Sequence, residues 1–160
     1  GLNLPRSTML SAVLIACVFQ LFVQFPAAAY SDRHGRRGIY LAGAGLLGLW
    51  GFAMFPLIDT GNFLLIVLAI SGGLAFLAMQ YGPQAAFYTE LFSTKVRYSG
   101  ASLGYQLGAI LGGAFAPTLA VLLWKELGIF YVSIYIAFAA LVTIASVLML
   151  TETSGADLDE

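Results

Sequence analysis

The chain has 160 residues, of which 60% are hydrophobic and 9% charged, with a formal net charge of −1 and a mean hydropathy of +0.90. A soluble domain carries about a quarter charged residues; this chain has too few polar groups to cover its own surface, so the solvent for most of it is lipid. With one cysteine (Cys17) and one histidine (His34), neither a disulfide framework nor a Cys- or His-based metal cluster is available, and no metal, cofactor or nucleic-acid partner is expected.

A helix crossing about 30 Å of hydrocarbon takes roughly 20 mostly apolar residues. Five segments meet that requirement: 8–30, 38–57, 63–88, 99–124 and 128–150. None shows the two-residue alternation of a membrane barrel strand, so the expected fold class is an all-α membrane protein with five transmembrane helices.

The first span carries Gln20 and Gln24, with Pro26 as a bend. It ends in the loop Ser31–Arg37, which packs Asp32, Arg33, His34, Gly35, Arg36 and Arg37 into adjacent positions. Gly35 supplies the positive φ that a tight inter-helix turn needs, and Asp32 can accept from arginine; His34 reads as solvated. A plain basic loop is the simpler alternative. The second span has no amide or charged side chain between its ends.

The third span holds Gln80, Tyr81, Pro83, Gln84 and Tyr88. Pro83 removes a backbone donor and crowds the Met79 carbonyl, so a kink is expected. Tyr81, Gln84 and Tyr88 share one helix face, with Gln80 beside it, and offer hydroxyl and amide groups to a small carboxylate or zwitterion. Mutual satisfaction of these groups is the alternative. The next loop contains Glu90, Lys95 and Arg97, where arginine–carboxylate pairs can lock helix ends or remain solvated. The fourth span carries Gly100, Gly104, Gly108 and Gly112 at four-residue spacing, together with Tyr105, Gln106 and Pro117. The glycine ridge reads first as a helix-packing surface and second as a sliding one. Gln20, Gln24, Tyr105 and Gln106 are weaker solute-binding candidates.

The loops 31–37 and 89–98 hold Arg33, Arg36, Arg37, Lys95 and Arg97, against Arg6 and Lys125 on the other side. The positive-inside rule places those loops, and the acidic tail 151–160, in the cytoplasm. Buried amides need partners in lipid, so spans one, three and four are expected to face protein or a water-filled cavity, and spans two and five to face lipid. Residues 1–6 read as the tail of a loop, and a truncated, multi-pass membrane polypeptide is expected.

The Asp32-Arg33-His34-Gly35-Arg36-Arg37 turn resembles the signature cytoplasmic turn of the major facilitator superfamily in its C-terminal-half copy. Glu90-Leu91-Phe92, Thr94 and Val96-Arg97-Tyr98, running into Ser99-Gly100-Ala101-Ser102-Leu103-Gly104-Tyr105-Gln106, together with Tyr81-Gly82-Pro83-Gln84-Ala85-Ala86-Phe87, narrow the resemblance to the metabolite:proton symporters, which include permeases for shikimate, α-ketoglutarate and proline betaine. Ala28, Tyr30, Gly38 and Ser93 depart from the usual pattern. The resemblance implies helices eight to twelve of a twelve-helix fold, most of its C-terminal six-helix bundle, in the cytoplasmic (plasma) membrane. It implies transport of a small organic solute, with protons, by alternating access. The other partners are lipid and the missing N-terminal half. A cytoplasmic gate of Asp32, Arg33, Arg36, Arg37, Glu90 and Arg97 is expected.

No Asp, Glu, His, Lys or Arg lies mid-span, so a proton-binding carboxylate is expected outside these residues, and this piece alone should not transport. An intramembrane enzyme would need nucleophile–base pairs or paired aspartates within the bilayer, which the spans lack. A sugar-porter-like transporter and a non-transporting receptor or scaffold remain as alternatives.

Overall fold

The computed structural model describes residues 5–93 and 95–150, and these are helical nearly throughout. The expected acidic tail 151–160 lies outside them. Helix α1 spans Arg6–His34, α2 Arg36–Asp59 and α3 Phe63–Glu90. Helix α4 (Arg97–Ala109) passes through a π-helical turn, Ile110–Ala114, into α5 (Phe115–Glu126), and α6 spans Ile129–Met149. Helices α1, α2, α3 and α6 and the continuous rod 97–126 are long and apolar enough to cross a membrane. The helices outrun the apolar segments because charged termini such as Arg36 and Glu90 continue the backbone pattern beyond the hydrocarbon.

The turns follow from local chemistry. Gly35 sits at φ 98°, ψ 150°, and its N–H donates to the Ser31 carbonyl, closing α1 while opening α2. Only glycine adopts that backbone region without strain. Gly35→Ala is therefore expected to cost about 1–3 kcal/mol, read as a lower thermal transition of the full-length protein. Asn62 caps α3 by accepting from the Leu64 N–H at 3.0 Å. α3 runs helically through Pro83. In the fourth span the ladder widens instead: Pro117 follows Gly113 by four residues, where its ring crowds the carbonyl and its missing N–H leaves that carbonyl without a donor, and the π-turn absorbs the conflict.

α2 packs against α1, α3 and α6, and α3 also packs along α1. The expectation that the second span would lie at the lipid-facing periphery is therefore corrected: α2 occupies the middle of the described helices. The reason is its run of small residues. A methyl on Gly43 would come 2.9 Å from the Phe76 carbonyl, and one on Gly48 would come 2.8 Å from Ala140 Cβ. Ser133 Oγ donates to the Gly51 carbonyl at 2.9 Å across the α2–α6 seam. Trp50 lies over Gly72 and donates from Nε1 to the Ala69 carbonyl at 2.9 Å.

The glycine ridge of the fourth span behaves differently. Gly100 packs beneath the Phe92 ring, whereas a methyl on Gly104, Gly108 or Gly112 would meet nothing within 4 Å. Among the described residues, the close helix approaches use Gly43, Gly48, Gly72 and Gly82 rather than this ridge. α1 and the fourth span are correspondingly exposed, with Leu14, Phe22 and Phe25 on α1 and Tyr105, Ile110 and Phe115 on the rod open.

Candidate functional site: a charged helix-end cluster and a tyrosine-lined cavity

At the loop end of the bundle, Arg36 joins three helices. Its Nη1 pairs with Asp32 of α1 and donates to Ser31 Oγ at 3.0 Å. Its Nη2 and Nε donate to Glu90 Oε1 of α3 at 3.0 and 3.2 Å. The Arg36 and Glu90 side chains are 12% and 13% exposed, while Asp32 is 60% exposed. The forked guanidinium matches a carboxylate on one side and leaves a nitrogen for the α1 end on the other. Ser31, which sequence reasoning quoted without singling out, is buried and passes its own proton to the Ala28 carbonyl at 2.7 Å.

The other expected gate residues point elsewhere. Arg37 Nη2 donates to the Leu148 carbonyl at 2.7 Å, neutralising the C-terminal end of α6. Arg97 Nε donates to the Thr89 and Phe92 carbonyls at 2.9 and 3.3 Å, closing the α3–α4 loop. Arg33 is exposed, and the His34 ring stacks on Tyr30 at a centroid distance of 4.2 Å.

Further along α3, Tyr81, Gln84 and Tyr88 and the fourth span's Tyr105, Gly108, Ala109, Gly112 and Gly113 line an open cavity of about 480 Å³. Gln84 Nε2 donates to the Tyr88 hydroxyl at 3.2 Å. On the opposite wall Gly108, Gly112 and Gly113 expose backbone between Tyr105 and Ala109, so the cavity has a polar aromatic side and a largely smooth one. Gln80 lines a separate cavity of about 250 Å³ with Ala44, Gly112, Tyr135 and Thr143. Gln20 and Gln24 are half-buried on α1, and neither joins the tyrosine cavity; the Gln24 carbonyl instead abuts Gly82. Gln106 is exposed. Sequence reasoning missed Tyr40, a buried aromatic on α2 whose ring packs against Phe87 at a centroid distance of 5.8 Å. A lone hydroxyl one helical turn beyond Arg36 was its only signal.

Five apolar helices, with a charged cluster tying three helix ends and a cavity beside the spans, describe a multi-pass membrane protein. The chain belongs to the Major Facilitator Superfamily, whose family model matches residues 1–158. It is 36% identical to a metabolite transport protein of Haemophilus influenzae over all of this chain and 36% of that protein. It is also 36% identical to the inner membrane metabolite transport protein YhjE of Escherichia coli, over 96% of this chain and 35% of that protein. The shikimate transporter of Escherichia coli is 30% identical over 98% of this chain and 36% of its own length. The chain thus spans about a third of the length of the curated relatives it matches. No solved structure matches it.

Proposed function

We propose that the chain forms helices eight to twelve of a transporter that moves a small organic carboxylate or zwitterion across the cytoplasmic membrane by proton symport and alternating access. The observation that carries this reading is the cavity that sets Tyr81, Gln84 and Tyr88 opposite Tyr105 and a run of glycines. Hydroxyls and an amide can bind a polar solute, and a bare wall leaves room for its body. Relatives named for metabolite and shikimate transport support the solute class. The motif resemblance to metabolite:proton symporters supports proton coupling. None of the residues lining the cavity carries Asp, Glu, His, Lys or Arg, so the group that takes the proton belongs to the remainder of the polypeptide.

In this reading the end bearing Asp32, Arg36 and Glu90 faces the cytoplasm and the cluster stabilises the state closed on that side. The apolar faces that α1 and the fourth span leave open meet the rest of the transporter. Uptake by the full-length protein in proteoliposomes tests the whole. Gln84→Ala is expected to raise KM about tenfold through the loss of a hydrogen bond to the solute, with little change in expression. Solute-dependent alkalinisation of the outer medium would accompany uptake; uptake without it would remove the proton from the proposal. A protein that neither transports nor is thermally stabilised by small organic acids would be a scaffold instead.

A further inference from the structure

We propose that the solute site extends beyond the tyrosine cavity into a second subsite, formed by Gln80, Tyr135 and Thr143, that takes an uncharged hydrogen-bonding group at the far end of the solute; the inference rests on the solute-binding reading above. The Gln80 amide lies in a cavity of about 250 Å³ walled by α2, α3, α6 and the fourth span. Gly43 lets it reach there. A methyl on that residue would come 3.1 Å from Gln80 Cγ, so the bare α2 backbone gives the side-chain stem room to pass. Among the described residues, no hydrogen bond holds the Gln80 amide or the Tyr135 hydroxyl. Thr143 Oγ1 donates its proton to the Ala139 carbonyl at 2.9 Å and keeps its lone pairs for another partner. An amide at the depth of a membrane span needs partners, and here they come from whatever fills the cavity.

Three observations join this cavity to the one lined by Tyr81, Gln84 and Tyr88. Gly112 lines both. The π-turn that carries it packs against no other helix outside its own span among the described residues, so no helix contact closes the seam there. A methyl on Gly112 would meet nothing within 4 Å, which leaves the space beside the turn open. Gln80 and Gln84 stand one helical turn apart on α3, about 6 Å along its axis, and each serves one cavity. A solute that bridges them carries two polar groups at that separation, as a ring acid with a hydroxyl across the ring does. The second subsite suits an uncharged group. No residue lining it carries a charge, and Ala44, Leu47 and Ile136 supply apolar walls, so an ionised end would lose its water without gaining a counter-charge. A hydroxyl, by contrast, can donate to Thr143 and accept from Gln80. The charged end of the solute therefore stays among the three tyrosines.

The test measures binding of two matched pairs to the full-length protein: shikimate against cyclohex-1-ene-1-carboxylate, and trans-4-hydroxyproline against proline. Each pair differs only in hydroxyls away from the charged group. The wild-type protein is expected to prefer the hydroxylated member of at least one pair by about tenfold or more. Gln80→Met, which keeps the length of the side chain, is expected to cut that preference to within about threefold by weakening the hydroxylated member alone. Tyr135→Phe combined with Thr143→Val removes the other two hydroxyls and should do the same, so poor recovery of one variant leaves the other to decide. Gly112→Val narrows the junction and is expected to weaken the hydroxylated member about tenfold. Gly104→Val lines neither cavity and its added carbon also meets nothing within 4 Å, so it should bind as the wild type does. A preference that survives both Gln80→Met and the double variant overturns the second subsite. So does a Gly112→Val protein that binds like Gly104→Val, or equal wild-type binding within both pairs. Failure of all four solutes to bind the wild-type protein overturns the solute reading itself, and the inference with it.

Discussion

Arg36→Ala and Glu90→Ala are each expected to destabilise the full-length protein by about 3–5 kcal/mol and, if the proposed gate operates, to shift it toward the state open at these helix ends. Both side chains are largely withdrawn from solvent, at 12% and 13% exposure, and they meet through two short contacts from one guanidinium. Removing one member leaves the other buried and unpaired, which is where most of the cost arises. Asp32→Ala is expected to matter far less, within about 1 kcal/mol, because its carboxylate is 60% exposed and water replaces the lost partner.

A double replacement, Arg36→Leu with Glu90→Leu, separates stability from gating. Two apolar side chains remove the orphaned charge, so the thermal transition should recover most of the loss. The conformational bias should not recover, since no polar bond then ties α3 to the α1–α2 turn. Spin-label distances across the helix ends that carry Arg36 and Glu90, together with uptake rates, read the two effects apart. Wild-type uptake and wild-type inward and outward populations in both single variants would sink the gating role.

Gly82→Leu is the second large effect, and it is expected to leave little folded protein. A methyl at Gly82 already falls 3.0 Å from the Gln24 carbonyl oxygen and 3.0 Å from the Ala28 nitrogen. Both are backbone atoms of α1, so neither can rotate away, and the helices must separate. Gly82→Ala alone is expected to cost about 1–3 kcal/mol by overpacking. Gly108→Ala, with nothing within 4 Å of the added carbon, should fold as wild type and tests the contrast. A Gly82→Ala protein as stable as Gly108→Ala would show that α1 and α3 do not approach as described.

The same pair explains a departure in the sequence. Ala28 stands where a glycine is common before the charged turn, and the backbones still meet because the partner position on α3 is Gly82. The smallness needed at that crossing is supplied from the other helix, which no inspection of the turn alone reveals.

The number and type of the spans were legible because hydropathy over 20 residues is a bulk property. The Gly35 turn was legible because one residue type is tolerated at φ 98°. The pairing of Arg36 with Asp32 and Glu90 was legible in outline, since all three sit at helix ends on one side. The roles of Arg37 and Arg97 were not: long side chains reach whichever carbonyl lies closest, and the Leu148 end of α6 is 111 residues away in sequence. The burial of α2 was misjudged because counting amides ignores hydroxyls and small residues. Tyr40, Gly43 and Gly48 make it a packing core without any Asn or Gln. For the glycine ridge, Gly100 packs under Phe92 while Gly104, Gly108 and Gly112 face open space among the described residues, and spacing alone does not say whether a smooth face meets a helix or an opening.

The π-turn at Ile110–Ala114 has a consequence for the span as a rotating object. One extra residue in a helix advances the phase by about 100°, so α5 presents its side chains on a bearing that a straight continuation of α4 would not give. The face that carries Tyr105 toward the cavity and the face by which α5 meets α6 are set independently on either side of this slip. Deleting a single residue between Ile110 and Ala114 would let an ordinary helical ladder re-form with both faces close to their present bearings, whereas forcing the same residues into an unbroken α-helix would swing one of them off its target by about 100°.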